Sequence, residues 1–273
     1  ALVSLKQWLA TGIVDAVHPA ALVLFLTIVG MSLLAKKSFC SWLCPVGTLS
    51  EAAWKGGRRL FGRSFTIWRW CDLPLRGLKY LLLAFFFKII LLDMPAAALG
   101  GFLAAPYWAV SDVKMLHFFT RPSGTALAVV GVLTGLSFLY KNFWCRYLCP
   151  YGALLGLASL LSPFKVRRDL DACNGCGRCG RACPAQLPVD RRLRVTSAEC
   201  TGCLTCTEAC PQRALAMAPP LLRRHLPAWV FPVAVVCLFT AGVGSGMLTG
   251  HWQTSLTYDD YRQLIPMAGM FGH

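Results

Sequence analysis

The chain has 273 residues, 56% of them hydrophobic and 14% charged, and its mean hydropathy of +0.55 excludes an ordinary soluble domain and points to a bilayer. A net charge of +15 would suit nucleic acid if the basic residues gathered on one soluble face, but their spacing along the chain assigns them to membrane topology, so no nucleic-acid partner is expected. The sequence has no phosphate loop, nucleotide fingerprint or nucleophile–base constellation, which excludes hydrolase and nucleotide-driven classes.

Ala1 stands where an initiator Met would, and no charged leader precedes an apolar core, so the chain is expected to be processed or shortened. A helix needs about 20 mostly apolar residues to cross a hydrocarbon core of about 30 Å. Four stretches meet that length, at residues 17–35, 80 to about 103, 122–140 and 226–248.

The first span is led by Asp15 and His18 and runs into Lys36, Lys37 and the motif Phe39-Cys40-Ser41-Trp42-Leu43-Cys44-Pro45-Val46-Gly47. In the basic segment that follows, Trp68 and Trp70 are expected as interfacial anchors, and Cys71, like Cys237 in the fourth span, as a structural residue. The second span contains Lys88 and Asp93. Ionisable groups at that depth are costly and mark function by default, so the two are candidates to pair with each other or with a bound quinone in a proton relay. The alternative is that Lys88 snorkels and Asp93-Met94-Pro95 breaks the helix near the outer surface. Residues 107–119 then mix aromatics with Asp112, Lys114 and His117.

The third span ends in Lys141-Asn142-Phe143-Trp144-Cys145-Arg146-Tyr147-Leu148-Cys149-Pro150-Tyr151-Gly152, a copy of the first motif at an offset of 105. Each copy reads aromatic-Cys-x3-Cys-Pro-x-Gly. Residues four apart share a helical face, so Cys40 with Cys44, and Cys145 with Cys149, are expected to present paired thiols that converge about a pseudo-dyad and hold a further metal or cluster. The alternative is a repeated helix-end turn in which the cysteines are small buried apolar residues.

Eight of the fourteen cysteines form two runs, Cys173-x2-Cys176-x2-Cys179-x3-Cys183-Pro184 and Cys200-x2-Cys203-x2-Cys206-x3-Cys210-Pro211. Three closely spaced thiolates let a loop wrap three iron corners of a cubane, while the fourth ligand serves the other cluster. Cluster I is therefore assigned to Cys173, Cys176, Cys179 and Cys210, and cluster II to Cys200, Cys203, Cys206 and Cys183. Gly175, Gly177, Gly180 and Gly202 suit a backbone folded closely over sulfur, and short strands are expected to pair around Val166 and residues 214–217. Disulfides are disfavoured in a reducing cytoplasm, and zinc sites lack the x3-Cys-Pro completion. Arg178, Arg181, Arg191, Arg192 and Arg194 around the clusters should favour the reduced form and attract an acidic partner.

Beyond the fourth span, with its Gly242-x3-Gly246 spacing for close helix packing, come His251, Asp259 and Asp260. His18, His117 and His251 are the candidate proton acceptors of a quinone site or ligands of a haem; the alternative for each is a solvated interfacial histidine. Between spans one and two, and between spans three and four, lie 22 of the 27 Lys and Arg residues. That side is the cytoplasm by the positive-inside rule, and both termini then face outward. The fold class is an α-helical integral membrane protein of about four transmembrane helices with an inserted two-[4Fe–4S] ferredoxin-like α+β domain. Residues 1–164 carry three spans and both Cys-Pro motifs, 165–220 the cytoplasmic ferredoxin domain, and 221–273 the fourth span and outward tail.

The paired Cys-x3-Cys-Pro motifs at Cys40 and Cys145, followed by the double ferredoxin motif from Cys173, make most of the chain resemble the membrane-bound polyferredoxin family of the NapH and NosR type. The resemblance implies a protein of the bacterial inner membrane that carries electrons between the quinone pool, or a flavin or ferredoxin partner, and an acceptor chain, as a subunit of a respiratory complex of quinol dehydrogenase type. The CcoG-type accessory proteins of cytochrome oxidase look similar in the same motifs and imply instead a metal-handling or maturation factor, whose clusters reduce a soft metal held by the Cys-Pro thiols. Two features depart from these patterns. A span follows the ferredoxin motif, which usually closes the chain in the nitrate-type proteins, and no copper-like His or Met cluster is present.

Overall fold

The computed structural model describes residues 1–63, 65–219, 227 and 229–270. Leu226, expected to open the fourth span, basic residues Arg223 and Arg224, and the end of the tail at 271–273 lie outside the described residues. In chain order the helices are α1 (Leu2–Thr11), α2 (Pro19–Ala35), α3 (Phe39–Trp42), α4 (Pro45–Phe61), α5 (Arg69–Phe87), α6 (Ala96–Ala104), α7 (Pro106–Ala109), α8 (Ser111–Thr120), α9 (Gly124–Leu139) and α10 (Pro150–Ala158). Strand β1 (Lys165–Arg168), helices α11 (Arg178–Ala182) and α12 (Thr205–Glu208), strand β2 (Leu215–Ala218), α13 (Val230–Leu248) and α14 (Tyr258–Met267) complete the chain.

Helices α2, α9 and α13 are apolar all round rather than on one stripe, the pattern of a helix surrounded by apolar medium. Among the described residues only α13 is by itself long and apolar enough to cross a membrane. Two bent pairs reach that length together: residues 70–93 with α6, bent by 102°, and α8 with α9, bent by 71°. The 17-residue α2 is apolar but shorter. The second expected span is thus not one straight helix. Helix α5 runs on as a π-helical turn, Lys88–Asp93, and stops at Met94, whose extended backbone is what a following proline demands.

The chain forms two compact units, one of residues 1–26, 84–132 and 242–273 and the other of residues 27–83 and 133–241. Four apolar helices, α2, α5, α9 and α13, carry the chain from one unit to the other, so these units cut across the linear division at 164/165 and 220/221. In the first unit, Lys6 Nζ donates to the carbonyls of Ile90 and Leu91, both at 3.0 Å, and to that of Met94, satisfying the end of the π-helical turn. Gly246 lets α13 approach α2, since a Cβ there would stand 2.5 Å from Val23 Cγ1, which is the close packing expected of Gly242-x3-Gly246.

The second unit contains both Cys-Pro motifs and all eight ferredoxin cysteines. Here β1 and β2 pair antiparallel, Val166 opposite Met217, as the repeat led one to expect. Their inward side chains share a core with Val189, Val195, Leu204 and four cysteines, and the ends of α2 and α13 enter it through Met31, Ala35, Phe231 and Val235. The ferredoxin segment is therefore packed onto helix ends and does not hang from them.

Candidate functional site

The eight ferredoxin cysteines line two separate cavities. One, of about 360 Å³, is lined by Cys183, Cys200, Cys203 and Cys206; the other, of about 350 Å³, by Cys173, Cys176, Cys179 and Cys210. Each cavity thus takes its fourth cysteine from the other motif, and this has a local cause: Cys183 caps the short helix α11 and Cys210 follows the end of α12, so both stand off from the loop that precedes them. Left-handed backbone at Gly175, Gly177 and Gly202 folds the loops back on themselves.

The donor chemistry fits an iron–sulfur cubane. Among the described residues, no three His, Cys, Asp or Glu side chains form a group that could hold a single metal ion, whereas four thiols standing around a cavity match a cage whose iron corners lie apart. Main-chain N–H groups of Gly202, and of Ala185 and Leu187, point at Cys200 and Cys183, and the Thr205 hydroxyl donates to Cys203 Sγ at 3.3 Å. Burial pushes the Cys200 thiol up to about 11 and also raises Cys206, Cys183 and Cys179. Such thiols ionise when iron supplies the compensating charge.

The two Cys-Pro motifs have the same backbone. Cys44 and Cys149 cap α4 and α10 with extended conformations (φ −72°, ψ 117° and φ −73°, ψ 105°), each followed by proline at the first helical position. Cys44 N–H donates to Phe39 O at 2.9 Å and Cys149 N–H to Trp144 O at 3.0 Å, a wide turn in both cases. This corrects the expectation of two thiols on one α-helical face: the first cysteine lies in the wide turn and the second at the next helix's N-cap, because proline forbids a continuous helix. Gly47 is required where it stands, since a Cβ would meet Cys40 O at 2.2 Å. The copies do converge. Cys40 and Cys145 line one cavity of about 580 Å³ with Lys37, Arg146, Glu51, Glu199 and Cys203, so it shares a wall with the Cys200 loop. Burial pushes the Cys40 thiol up to about 11 and Cys145 up to about 12, and neighbouring thiols of both motifs add to the rise.

Buried polar straps, which the spacing of cysteines gave no hint of, fix the ferredoxin segment to these motifs and to α5. Lys79 Nζ donates to both Glu199 carboxylate oxygens at 2.6 Å, and Tyr80 OH donates to the same carboxylate at 3.1 Å. Ser41 Oγ donates to Thr201 O at 2.9 Å and Trp42 Nε1 to Gly202 O at 3.2 Å. Arg146 reaches Ala185 O at 2.7 Å, just after Cys183-Pro184, while forming a bidentate pair with Asp72 at 2.9 and 3.0 Å. Asp72 also accepts from Tyr147 OH and Arg76. Of these, only the Asp72-x3-Arg76 spacing left a trace in the sequence.

His18, His117 and His251 are not among the residues that line the three cavities above. His18 Nε2 lies 2.8 Å from Trp108 O and 3.1 Å from Ser111 Oγ, and the Trp108 ring, edge-on to it at 5.0 Å, donates to buried Asp15 at 2.9 Å. His117 is half-buried on α8, and exposed His251 has Nδ1 3.1 Å from Thr249 Oγ1. Lys88 pairs with Asp93 at 2.6 Å, both side chains uncovered by the rest of the chain. Cys71 and Cys237 are exposed, as are Trp68 and Trp70.

A family model described as a 4Fe-4S binding domain matches residues 17–64 and again 123–169, the two segments that contain the Cys-Pro motifs. A second, described as a 4Fe-4S dicluster domain, matches residues 165–211. YccM of Escherichia coli (strain K12), an electron transport protein by name, is 47% identical over 278 residues, covering 100% of this chain and 78% of its own length. The methylamine utilization ferredoxin-type protein MauN of Paracoccus denitrificans is 31% identical over 56% of this chain and 50% of its own. The ferredoxin-type protein NapH of Escherichia coli is 27% identical over 65% of this chain and 58% of its own. No solved structure matches.

Proposed function

The chain belongs to the membrane-bound polyferredoxin family, and from that membership we propose that it relays single electrons between a redox partner and the membrane through two [4Fe–4S] clusters. The observation that carries this reading is the gathering of eight cysteines into two sets of four, each around its own cavity. Bound there, the clusters supply one-electron transfer. The chain's own residues do the rest. Cys173 and Cys176 stand in a largely exposed loop with Arg181 donating to Cys176 O, and Arg178, Arg191, Arg192 and Arg194 of the same segment are exposed too, which suits an acidic flavoprotein or ferredoxin. Cys183, Cys200 and Cys206 are buried, which excludes water from the second site, and the straps from Lys79, Ser41, Trp42 and Arg146 hold that site against the Cys-Pro motifs.

The chain has four membrane spans in this reading: α2, α5 with its bent continuation, α8 with α9, and α13. The basic segments put residues 165–220 in the cytoplasm and both termini outward, in the inner membrane of a bacterium. Cys40, Cys44, Cys145 and Cys149 hold a third redox group in this reading, supported by the cavity that Cys40 and Cys145 share and by its common wall with Cys203. Quinone is the membrane donor or acceptor, with His18, His117 and His251 as its candidate contacts, and further subunits of a respiratory complex complete the path. Iron analysis and EPR of the purified chain test this. About eight irons per chain, or about twelve with the third group filled, and an interacting signal on dithionite reduction are expected. Loaded iron that neither reduces with dithionite nor responds to a quinol would overturn it.

A further inference from the structure

We infer that Lys36 and Lys141, which open the two Cys-Pro repeats, are positioning charges that hold up the reduction potential of the cluster bound by Cys183, Cys200, Cys203 and Cys206. This deepens the two-cluster reading and rests on it. Lys36 is fully buried, and its Nζ has no hydrogen-bond partner among the described residues. Its backbone is pinned in the left-handed region at φ 61°, with its N–H donating to Ser162 Oγ at 3.0 Å. Its Cβ lies 3.5 Å from where a Cβ on Gly202 would stand, so the side chain packs directly behind the loop that joins Cys200 to Cys203.

A buried ammonium with no anion beside it is expensive by several kcal/mol. Once iron ionises Cys200, its thiolate is the anion that this charge meets, while Lys165 is a second cation acting on Lys36. Lys141, the equivalent residue one repeat later, is also buried; its Nζ donates to Arg181 O at 3.3 Å and lies over the Trp54 ring at 4.8 Å from the centroid. Its charge meets the Cys183 thiolate. The two repeats thus deliver one lysine each to two ligands of the same cluster, although those ligands come from different ferredoxin motifs. At the other cluster, the charge facing Cys179 is the Asp190 carboxylate, which lines that cavity.

A cluster with four thiolates carries net negative charge that grows by one on reduction, so burial alone makes reduction harder and lowers the potential. Cluster II is the more buried site and on burial alone would be the poorer acceptor. Two ammonium groups at low dielectric oppose this strongly, while Asp190 acts on cluster I in the other direction.

The test is an EPR-monitored redox titration of the full chain with both clusters loaded, signals being assigned with the single-cluster variant Cys210→Ala. Lys36→Met should lower the cluster II midpoint by an amount equal to at least a tenfold change in the reduced-to-oxidised ratio, about 59 mV for one electron, with cluster I unmoved. Lys141→Met should act in the same direction but less, because Arg181 O and Trp54 share its charge, and Lys36→Arg should restore the parent value. Unmoved cluster II midpoints in Lys36→Met and Lys141→Met at full iron content would overturn the inference, as would a Lys36→Arg midpoint equal to that of Lys36→Met. If Lys36→Met fails to load cluster II, Lys141→Met and Lys36→Arg decide. A parent chain that binds no clusters would instead remove the two-cluster reading, and this inference with it.

Discussion

The two ferredoxin loops have the same cysteine spacing and enclose cavities of nearly equal size, about 350 and 360 Å³, yet their surroundings are opposite. The Cys173 loop is largely open, with Cys176 exposed and Asp190 at the cavity wall. The Cys200 loop is covered, tied down at Glu199, Thr201 and Gly202 by side chains from α3 and α5, and backed by the buried Lys36. Cysteine spacing is therefore a local property of the motif, whereas burial and surrounding charge are set by what covers each loop.

The largest effect should come from breaking the ligand exchange. Cys183→Ala should abolish the cluster fed by the Cys200 loop and Cys210→Ala the one fed by the Cys173 loop, each removing about half of the two clusters' iron. If Cys183 served its own motif instead, the two variants would exchange spectra, and the contrast between covered and open loops would lose its chemical basis. Removing a strap should be the next largest. Arg146→Ala leaves Asp72 buried without its bidentate partner and frees Ala185 beside Cys183, at a cost of about 3–5 kcal/mol. The more exposed Arg76→Ala should cost about 1 kcal/mol or less. Thermal unfolding followed by loss of the cluster II signal compares the two, and equal costs would show that Arg146 does not secure this loop.

The two groups of four cysteines that line the cavities were legible because the motif places its thiols at fixed short intervals, and β1 and β2 follow from the same duplication. The sequence carried the helix break as well, since Pro95 acts on the residue before it. Of the two Cys-Pro readings, the helix-end turn set by Pro and Gly matches the backbone found; a spacing of four looks the same in an α-helix and in a wide turn ending at proline, and only the Cys44 and Cys149 caps tell them apart. The straps were illegible for a different reason. Lys79 and Glu199 stand 120 residues apart, and neither belongs to a motif, so nothing local marks them as partners. Lys36 and Lys141 were visible as equivalent positions of a repeat but read as topology charges, because burial cannot be inferred from a basic run at a helix end.

The smallest effect sharpens the comparison most selectively, because it uses acid on the carboxylate strap that adjoins the Cys200 loop itself. Despite its burial, the Glu199 carboxyl is held below the usual carboxylate range by Lys37 and Lys79 and by the hydrogen bonds it accepts from Lys79 and Tyr80. A carboxylate whose folded value lies below its unfolded one, ordinarily about 4.3, contributes stability that is complete above the unfolded value and disappears as pH falls through the folded one. Glu199→Gln should therefore weaken hydrogen-exchange protection of the Cys200–Leu204 amides near neutral pH, with the gap to the parent closing as pH drops below about 4.3. The Cys173 loop, which has no such strap, should show no gap between the two proteins at any pH. A gap that appeared equally in both loops would mean that Glu199 stabilises the ferredoxin segment as a whole, and the distinction between a covered and an open loop would then rest on the lysines and Arg146 alone.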